Sequence, residues 1–330
     1  MGFRVLKPGL LTTVQDLGRF GYQSQGFSVG GAMDARSLKL ANLLLDNPEG
    51  EAALEITLLG PELEFTGPAF VAVTGGDFSP ALNGESVPMY AALRIRKGDV
   101  LSFGGARTGT RGYIAFAGGL DVPVVMGSRS THLRSRVGGF HGRKLAAGDL
   151  VELRAGRARL PFLRARRLPP PDYEKDDGVL RVVPGPQDGL FTREGLETFL
   201  RSEYTVTAES DRMGCRLDGP AVAAAGGTDI LSDGTVFGAV QVPPSGKPIV
   251  LLADRQTAGG YAKIAAVITA DLPRLVQKRM DQKIRFRAVT VEQAQELLLR
   301  EERELDRLRR RLRHPLRGFW GTGSSCRGKG

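Results

Sequence analysis

The chain has 330 residues, 41% of them hydrophobic, with 44 glycines, 2 cysteines and a net charge of +10. That length allows two compact domains, and two distant cysteines outside any CxxC spacing exclude a disulfide framework. No apolar run reaches the ~20 residues of a membrane-spanning helix, so a reduced, soluble, cytoplasmic protein is expected.

The positive excess gathers in Arg154 to Arg167 and Arg303 to Arg317. Neither run has the interleaved aromatics of a base-stacking surface, which favours a solvated Arg-rich exterior over nucleic-acid binding. His132, His141 and His314 lack metal-ligand spacing with a cysteine or carboxylate, so no metal is predicted.

Phe3 to Val5 predicts a short first strand. The stretch LLTTVQDLGRFGYQSQGFSVGGAMD then offers burial only at Leu10, Leu11 and Val14. Long polar loops inside compact domains tend to be functional, which marks Gln15, Asp16 and Arg19; a surface loop with charge pairs fits them equally. Asp34 predicts the N-cap of a helix through Leu45, with Leu38, Ala41 and Leu45 on one face and Asn47-Pro48 as its stop. From Ala53 to Phe116 short apolar runs alternate with Gly, Pro and Asp, a strand-rich pattern. Lys97-Gly98-Asp99 and Ala147-Gly148-Asp149 predict hairpin turns, and Thr74-Gly75-Gly76-Asp77 a turn. Gly127-Ser128-Arg129-Ser130-Thr131, followed by Arg134, Arg136 and Gly138-Gly139, suits a carboxylate or phosphate. It is not a P-loop, and a basic lid loop fits it as well.

The run LPPPDYEKDDG cannot continue a sheet or helix. It divides the chain into an N-terminal domain (1–168), a Pro-rich linker (169–177), a C-terminal domain (178–290), and a helix with a disordered tail (291–330), the disorder expected at 321–330. Val179 to Val183 predicts a strand, Phe191 to Leu200 a short helix, and Tyr204 to Ala208 a strand. Asp211 beside Arg212 suggests an ion pair, either structural or presenting Arg212 to an anion.

Ser232 to Lys263 is the centre of the reading. Val236 to Val242 and Ile249 to Ala253 predict strands around a PPSGKP turn. Asp254-Arg255-Gln256-Thr257 follows, then Gly259-Gly260, which lets the backbone approach something closely, then Tyr261 and Lys263. Such a set can hold a small polar amide or carboxylate; a solvated loop is the plainer alternative. Asp271-Leu272-Pro273 predicts a capped helix to about Lys278, and Lys283 to Ala288 the last strand. Thr290 and Gln293 have capping-box spacing. Val291, Ala294, Leu298, Leu305, Leu308 and Leu312 line a stripe, and Glu296/Arg300 and Asp306/Arg310 are placed for i,i+4 pairs. This helix is expected to dock on the body or a partner.

Four segments together resemble the carboxyltransferase-like family: Thr13 to Arg19 with Gly30-Gly31-Ala32-Met33-Asp34; Gly127 to Thr131 with Gly142-Arg143-Lys144-Leu145 and Gly148-Asp149; Ser210 to Leu217; and Gly238 to Tyr261. Val29 stands where Pro is usual, Ala239-Val240 where Ser-Ile is usual, and Ala262 where Pro is usual. That family includes the C-type subunit of bacterial 5-oxoprolinase, allophanate hydrolase subunit 2, the carboxyltransferase part of urea carboxylase and the antagonist of the sporulation-kinase inhibitor. The resemblance implies a mainly β fold with short helices, arranged as two cyclophilin-like β-barrel domains in tandem. It implies a subunit of an ATP-dependent 5-oxoprolinase that opens 5-oxoproline to glutamate, with ATP at the level of the complex. Its partners would be a second small B-type subunit and a larger A-type subunit; a homo-oligomer also stays open. The alternative is a biotin-dependent carboxyltransferase, although the Met-Lys pair of a biotin attachment site is missing. A non-catalytic regulator that binds a partner is the third reading. The candidate residues are Lys263, Tyr261, Asp254 and Arg212 as catalytic, with Gln241, Thr257, Gly259, Gly260, Gln15, Asp16 and Arg19 as substrate-binding; Lys263 lies just beyond the matched motif and enters as a donor to the amide oxygen. Cys215 falls at a variable position and is expected to pack.

Overall fold

The structure is a computed structural model and describes residues 1–154 and 159–315. The tail expected to be disordered and Cys326 lie outside the described residues. The fold is mainly β, with a closed barrel and four α-helices among the described residues: α1 (Ala35–Leu44), α2 (Arg193–Arg201), α3 (Leu272–Val276) and α4 (Val291–Arg313).

The N-terminal half sets two sheets face to face. Gly2–Lys7, Glu62–Phe65, Ala81–Leu82, Glu85–Ser86, Val100–Ser102 and Leu150–Glu152 form one; Leu11–Gln15, Ala53–Thr57, Ala69–Asp77, Ala92–Ile95 and Thr108–Phe116 form the other. Period-two alternation assigns the side chains. Ile114 and Phe116 point between the sheets, where Phe116 stacks on Phe3 with ring centroids 5.0 Å apart. Tyr113 and Ala115 point the other way, under α1 and α4. Asp34 caps α1 by accepting from the Ser37 amide at 2.8 Å, as its position predicts.

The C-terminal half closes seven strands into a barrel. Closure comes from its first and last strands, Val179–Pro184 and Lys283–Ala288, which pair in parallel. Ile284 and Phe286 alternate inward against exposed Lys283, Arg285 and Arg287, the pattern a filled small barrel needs. Phe199 of α2 stacks on Phe286 at 4.5 Å and covers one flank.

Several local expectations change. Lys97-Gly98-Asp99 does not close a hairpin: Ala92–Ile95 belongs to one sheet and Val100–Ser102 to the other. Ala147-Gly148-Asp149 leads into a strand that pairs with Gly2–Lys7 instead of a neighbour in sequence. A glycine at positive φ fixes the local reversal in both, but not which sheet receives the outgoing strand. Thr74 to Asp77 is the last part of the Ala69–Asp77 strand and not a turn, with a register shift between Thr108 and Gly112 of its partner. Asp271 precedes α3 without capping it by its side chain; Arg181 takes its carboxylate through Nε at 2.9 Å and Nη2 at 2.5 Å. The capping box of Thr290 and Gln293 is present. The Glu296–Arg300 pair forms, whereas Asp306 meets Arg309 at i,i+3.

α4 folds back on the N-terminal half. Leu305 and Leu312 pack with Leu38, Leu40 and Leu43 of α1, flanked by Arg36–Glu301 at 3.0 Å and Arg313–Asp46 at 2.6 Å. A second bridge between the halves is Gln277, just after α3. Its Oε1 accepts from the Thr110 and Arg111 amides at 2.9 and 3.0 Å, and its Nε2 donates to Asp34 at 2.8 Å and to the Arg111 carbonyl at 3.0 Å.

Candidate functional site

The segments singled out in the sequence meet in pairs. Asp16 turns its carboxylate to Ser128 Oγ at 2.7 Å, the Arg129 amide at 2.6 Å, the Gly18 amide at 2.8 Å, and Ser130 Oγ. The hydroxyl-rich segment therefore holds a carboxylate, and that carboxylate is the protein's own. Gln15 donates to Thr13 Oγ1 and the Thr131 carbonyl, both at 3.1 Å, and its Oε1 is buried without a partner. Arg19 is buried, and donates to the Ser130 carbonyl at 2.9 Å. Burial lowers its pKa, opposed by the nearby charges of Asp16 and Asp254.

A second pair joins the two halves. Arg212 donates through Nε and Nη2 to Asp254 at 2.8 and 2.9 Å, and through Nη2 to the Gly31 carbonyl at 2.7 Å. Its Nη1 reaches Glu55, whose other oxygen accepts from the Met33 amide at 2.8 Å and the Tyr113 hydroxyl at 2.7 Å. Gly31 must be glycine: φ is +84°, and a Cβ would lie 2.8 Å from the Gly18 nitrogen. Burial alone would lower the Arg212 pKa, but Asp254 and Glu55 outweigh it and hold the pKa above its ordinary value. The ion pair read between Asp211 and Arg212 does not form, because Asp211 accepts from the Met213 and Gly214 amides instead.

The hollow lies beside this clasp, on the barrel. It measures about 200 Å³ and is lined by Gln241, Gly259, Tyr261, Arg255, Thr235 and Asp211, among others. Tyr261 is 38% exposed and stands at its wall. Gln241 is buried and donates from Nε2 to the Tyr261 carbonyl at 3.3 Å. Gly259 leaves room for that amide, since a Cβ there would come within 2.4 Å of Nε2. Gly260 lies in the same strand, with no contact to an added Cβ closer than 3.6 Å. Thr257 uses its carbonyl to pair with the Thr235 amide at 3.0 Å.

Lys263 lies opposite Gln241 in the barrel ladder. Its ammonium is on Asp233 Oδ2 at 2.9 Å, and its amide donates to Gln187 Oε1 at 3.2 Å. Lys263 holds the Asp233 pKa below the ordinary value, helped by the Gly234 amide and Gln187. The structure thus brings Gln241, Gly259 and Tyr261 to one hollow, leaves Lys263 outside its lining and paired with Asp233, and commits Arg212 and Asp254 to each other. The candidate set from the sequence left out Asp233, Gln187 and Arg255, although Asp233 and Arg255 both stand in the Ser232 to Lys263 stretch already singled out. Cys215 is buried, and burial pushes its thiol up to about 11, so it stays protonated. Among the described residues no group of His, Cys, Asp and Glu is placed to hold a metal ion, and no helix is long and apolar enough to cross a membrane.

A carboxyltransferase domain, subdomain A and B, matches residues 25–288, and the chain belongs to that family. It is 40% identical to the C-type subunit of 5-oxoprolinase from Haemophilus influenzae over 298 residues, covering 90% of this chain and 94% of that protein. To the corresponding Escherichia coli protein, of the same name, it is 37% identical over 317 residues, covering 94% and 98%. Among solved structures, the Kluyveromyces lactis urea carboxylase superposes with a TM-score of 0.83 at 32% identity, covering 93% of this chain and 29% of that one. The chain thus spans nearly the whole of the first two relatives and less than a third of the third.

Proposed function

We propose that this chain is the C-type subunit of a cytoplasmic 5-oxoprolinase complex, in which it binds the lactam that is opened to glutamate with ATP. The observation that carries this reading is the near full-length likeness to two proteins named as C-type subunits of 5-oxoprolinase, combined with a hollow of about 200 Å³ on the barrel where Gln241, Tyr261 and Arg255 stand among apolar side chains. That volume lies below the ~300–1,000 Å³ of sites for drug-sized ligands, so it suits one small ring and not a nucleotide. The hydroxyl-rich Gly127–Thr131 segment is occupied by Asp16 and does not fit a phosphate. In this reading ATP acts at the partner subunits, of A and B type, and supplies the driving force there.

The chain's own residues orient and polarise the lactam. Gln241 Oε1 accepts the lactam N–H, while its Nε2 stays on the Tyr261 carbonyl. Addition of water to the lactam carbon forms the new C–O bond and moves negative charge onto the lactam oxygen, where preorganised donors stabilise it: the Tyr261 hydroxyl and the amides of Gly259 and Gly260. Collapse of that oxyanion then breaks the C–N bond. The departing nitrogen needs a proton, which Tyr261 is placed to relay. Lys263 adds positive charge on the strand beside Gln241, tethered by Asp233. Arg212 and Asp254 act by holding Gly31 and the strand end that leads to Thr257. Gln15, Asp16 and Arg19 brace the facing loop.

The test is co-purification with the products of its neighbouring genes and an assay of glutamate release from 5-oxoproline with ATP. Lys263→Ala and Tyr261→Phe should each lower turnover at unchanged thermal stability. No glutamate from a folded, assembled wild-type complex would reject the reading. An avidin-sensitive, bicarbonate-dependent carboxylation of urea would replace it with a biotin-dependent carboxyltransferase, the reading suggested by the superposition on urea carboxylase.

A further inference from the structure

We infer that Arg255 binds a carboxylate of the substrate, so that the hollow selects small amides carrying an acid group. This rests on the lactam-binding reading and narrows it.

Arg255 is 6% exposed, yet among the described residues no carboxylate lies within ion-pair distance of it. Its Nε is buried with no acceptor. The guanidinium makes one long hydrogen bond, from Nη1 to the Leu252 carbonyl at 3.3 Å, and lies 6.0 Å over the Phe237 ring. Five N–H donors on a planar fork are thus almost unused. The backbone beneath it is fixed: the Arg255 carbonyl accepts from Ser28 Oγ at 2.5 Å, and its amide pairs with the Leu252 carbonyl at 3.2 Å. Arg255 stands between the hollow that holds Gln241, Gly259 and Tyr261 and a larger one of about 460 Å³ that Phe237 lines.

Buried cations in folded proteins are paired or hydrogen-bonded, because burial without a partner is costly. This one has no structural counter-charge, so its position makes sense if an anion enters from outside. The fork geometry of a guanidinium matches a carboxylate through two parallel bonds. Asp211, the one carboxylate lining the hollow, is turned to the Met213 and Gly214 amides. A small amide with a carboxylate can place its acid on Arg255 and its amide at Gln241 and Tyr261.

The experiment uses the assembled complex with wild type, Arg255→Met and Arg255→Lys. Two lactams are compared: 5-oxoproline, and 2-pyrrolidinone, the same ring without the acid. Arg255→Met should raise the KM for 5-oxoproline by about 30-fold or more, the loss expected of a charge-assisted pair, with a smaller change in kcat. Arg255→Lys should recover part of that loss. Inhibition by 2-pyrrolidinone should be equal in wild type and Arg255→Met. An unchanged KM for 5-oxoproline in Arg255→Met overturns the inference. So does a parallel loss of 2-pyrrolidinone inhibition, which would mean that the hollow itself had collapsed. Competition by phosphate or bicarbonate alone, with 5-oxoproline affinity unaffected by the substitution, would also overturn it. If the wild-type complex releases no glutamate, the 5-oxoprolinase reading falls separately, and calorimetric titration with 5-oxoproline still decides Arg255: binding lost in Arg255→Met supports the inference, and no binding to wild type overturns it.

Discussion

Arg212 and Arg255 are the same residue type, each 6% exposed, and their surroundings are opposite. Arg212 is enclosed by Asp254, Glu55 and the Gly31 carbonyl, whereas Arg255 has one long bond to a carbonyl and a ring beneath it. The two pKa values move accordingly. Carboxylates raise that of Arg212 against the effect of burial, and burial, with nothing to oppose it, lowers that of Arg255 to about 10. The difference separates a cation that holds the protein together from one that the protein leaves open.

The sharpest way to break this contrast is to remove both charges in turn. Arg212→Met strands Glu55 and Asp254 in the interior, and should cost about 3–5 kcal/mol of stability, read as a lower urea midpoint. Next in size, Gln277→Leu should cost about 1–3 kcal/mol, because it leaves Asp34 and the Thr110 and Arg111 amides without their partner. Arg255→Met should do the reverse of Arg212→Met: the melting temperature should rise by about 2 °C or more while glutamate release falls. A drop in melting temperature comparable to that of Arg212→Met would show that the two arginines are not different in kind.

Alkaline titration sharpens the same point with a smaller effect. Between pH of about 10, the Arg255 value, and the higher ordinary value of a guanidinium, the unfolded chain binds more protons at this side chain than the folded chain. Stability from this group therefore rises with pH across that window. The advantage of Arg255→Met over wild type should shrink there and be constant below it, as urea unfolding at pH 9 and pH 11 would measure. The smallest effect is Thr290→Ala at the start of α4, about 1 kcal/mol for a lost cap, and it should leave the KM for 5-oxoproline unchanged.

Much of the fold was legible because its signals are local. Asp34, Thr290 and Gln293 announce helix starts, and each is found capping one. The period-two runs announce strands, although not which sheet each strand joins, and Lys97-Gly98-Asp99 misled for that reason. The candidate site was legible only as a set of segments. Arg212 and Arg255 each stand in a polar run, and nothing adjacent in sequence separates them. What does is the arrival of Glu55, 157 residues away, at one and not at the other. Asp233 was missed in a similar way: it stands out only once the ladder brings Lys263 to it across 30 residues.

The return of α4 to α1 sets an order of events during synthesis. The apolar surface of α1 shares one cluster with Leu305 and Leu312, which leave the ribosome only after the barrel strands have been made. The first half of the protein therefore waits, with a greasy helix uncovered, until the second half has emerged. A nascent chain stalled before α4 should be the species that chaperones hold and that aggregates when they are scarce.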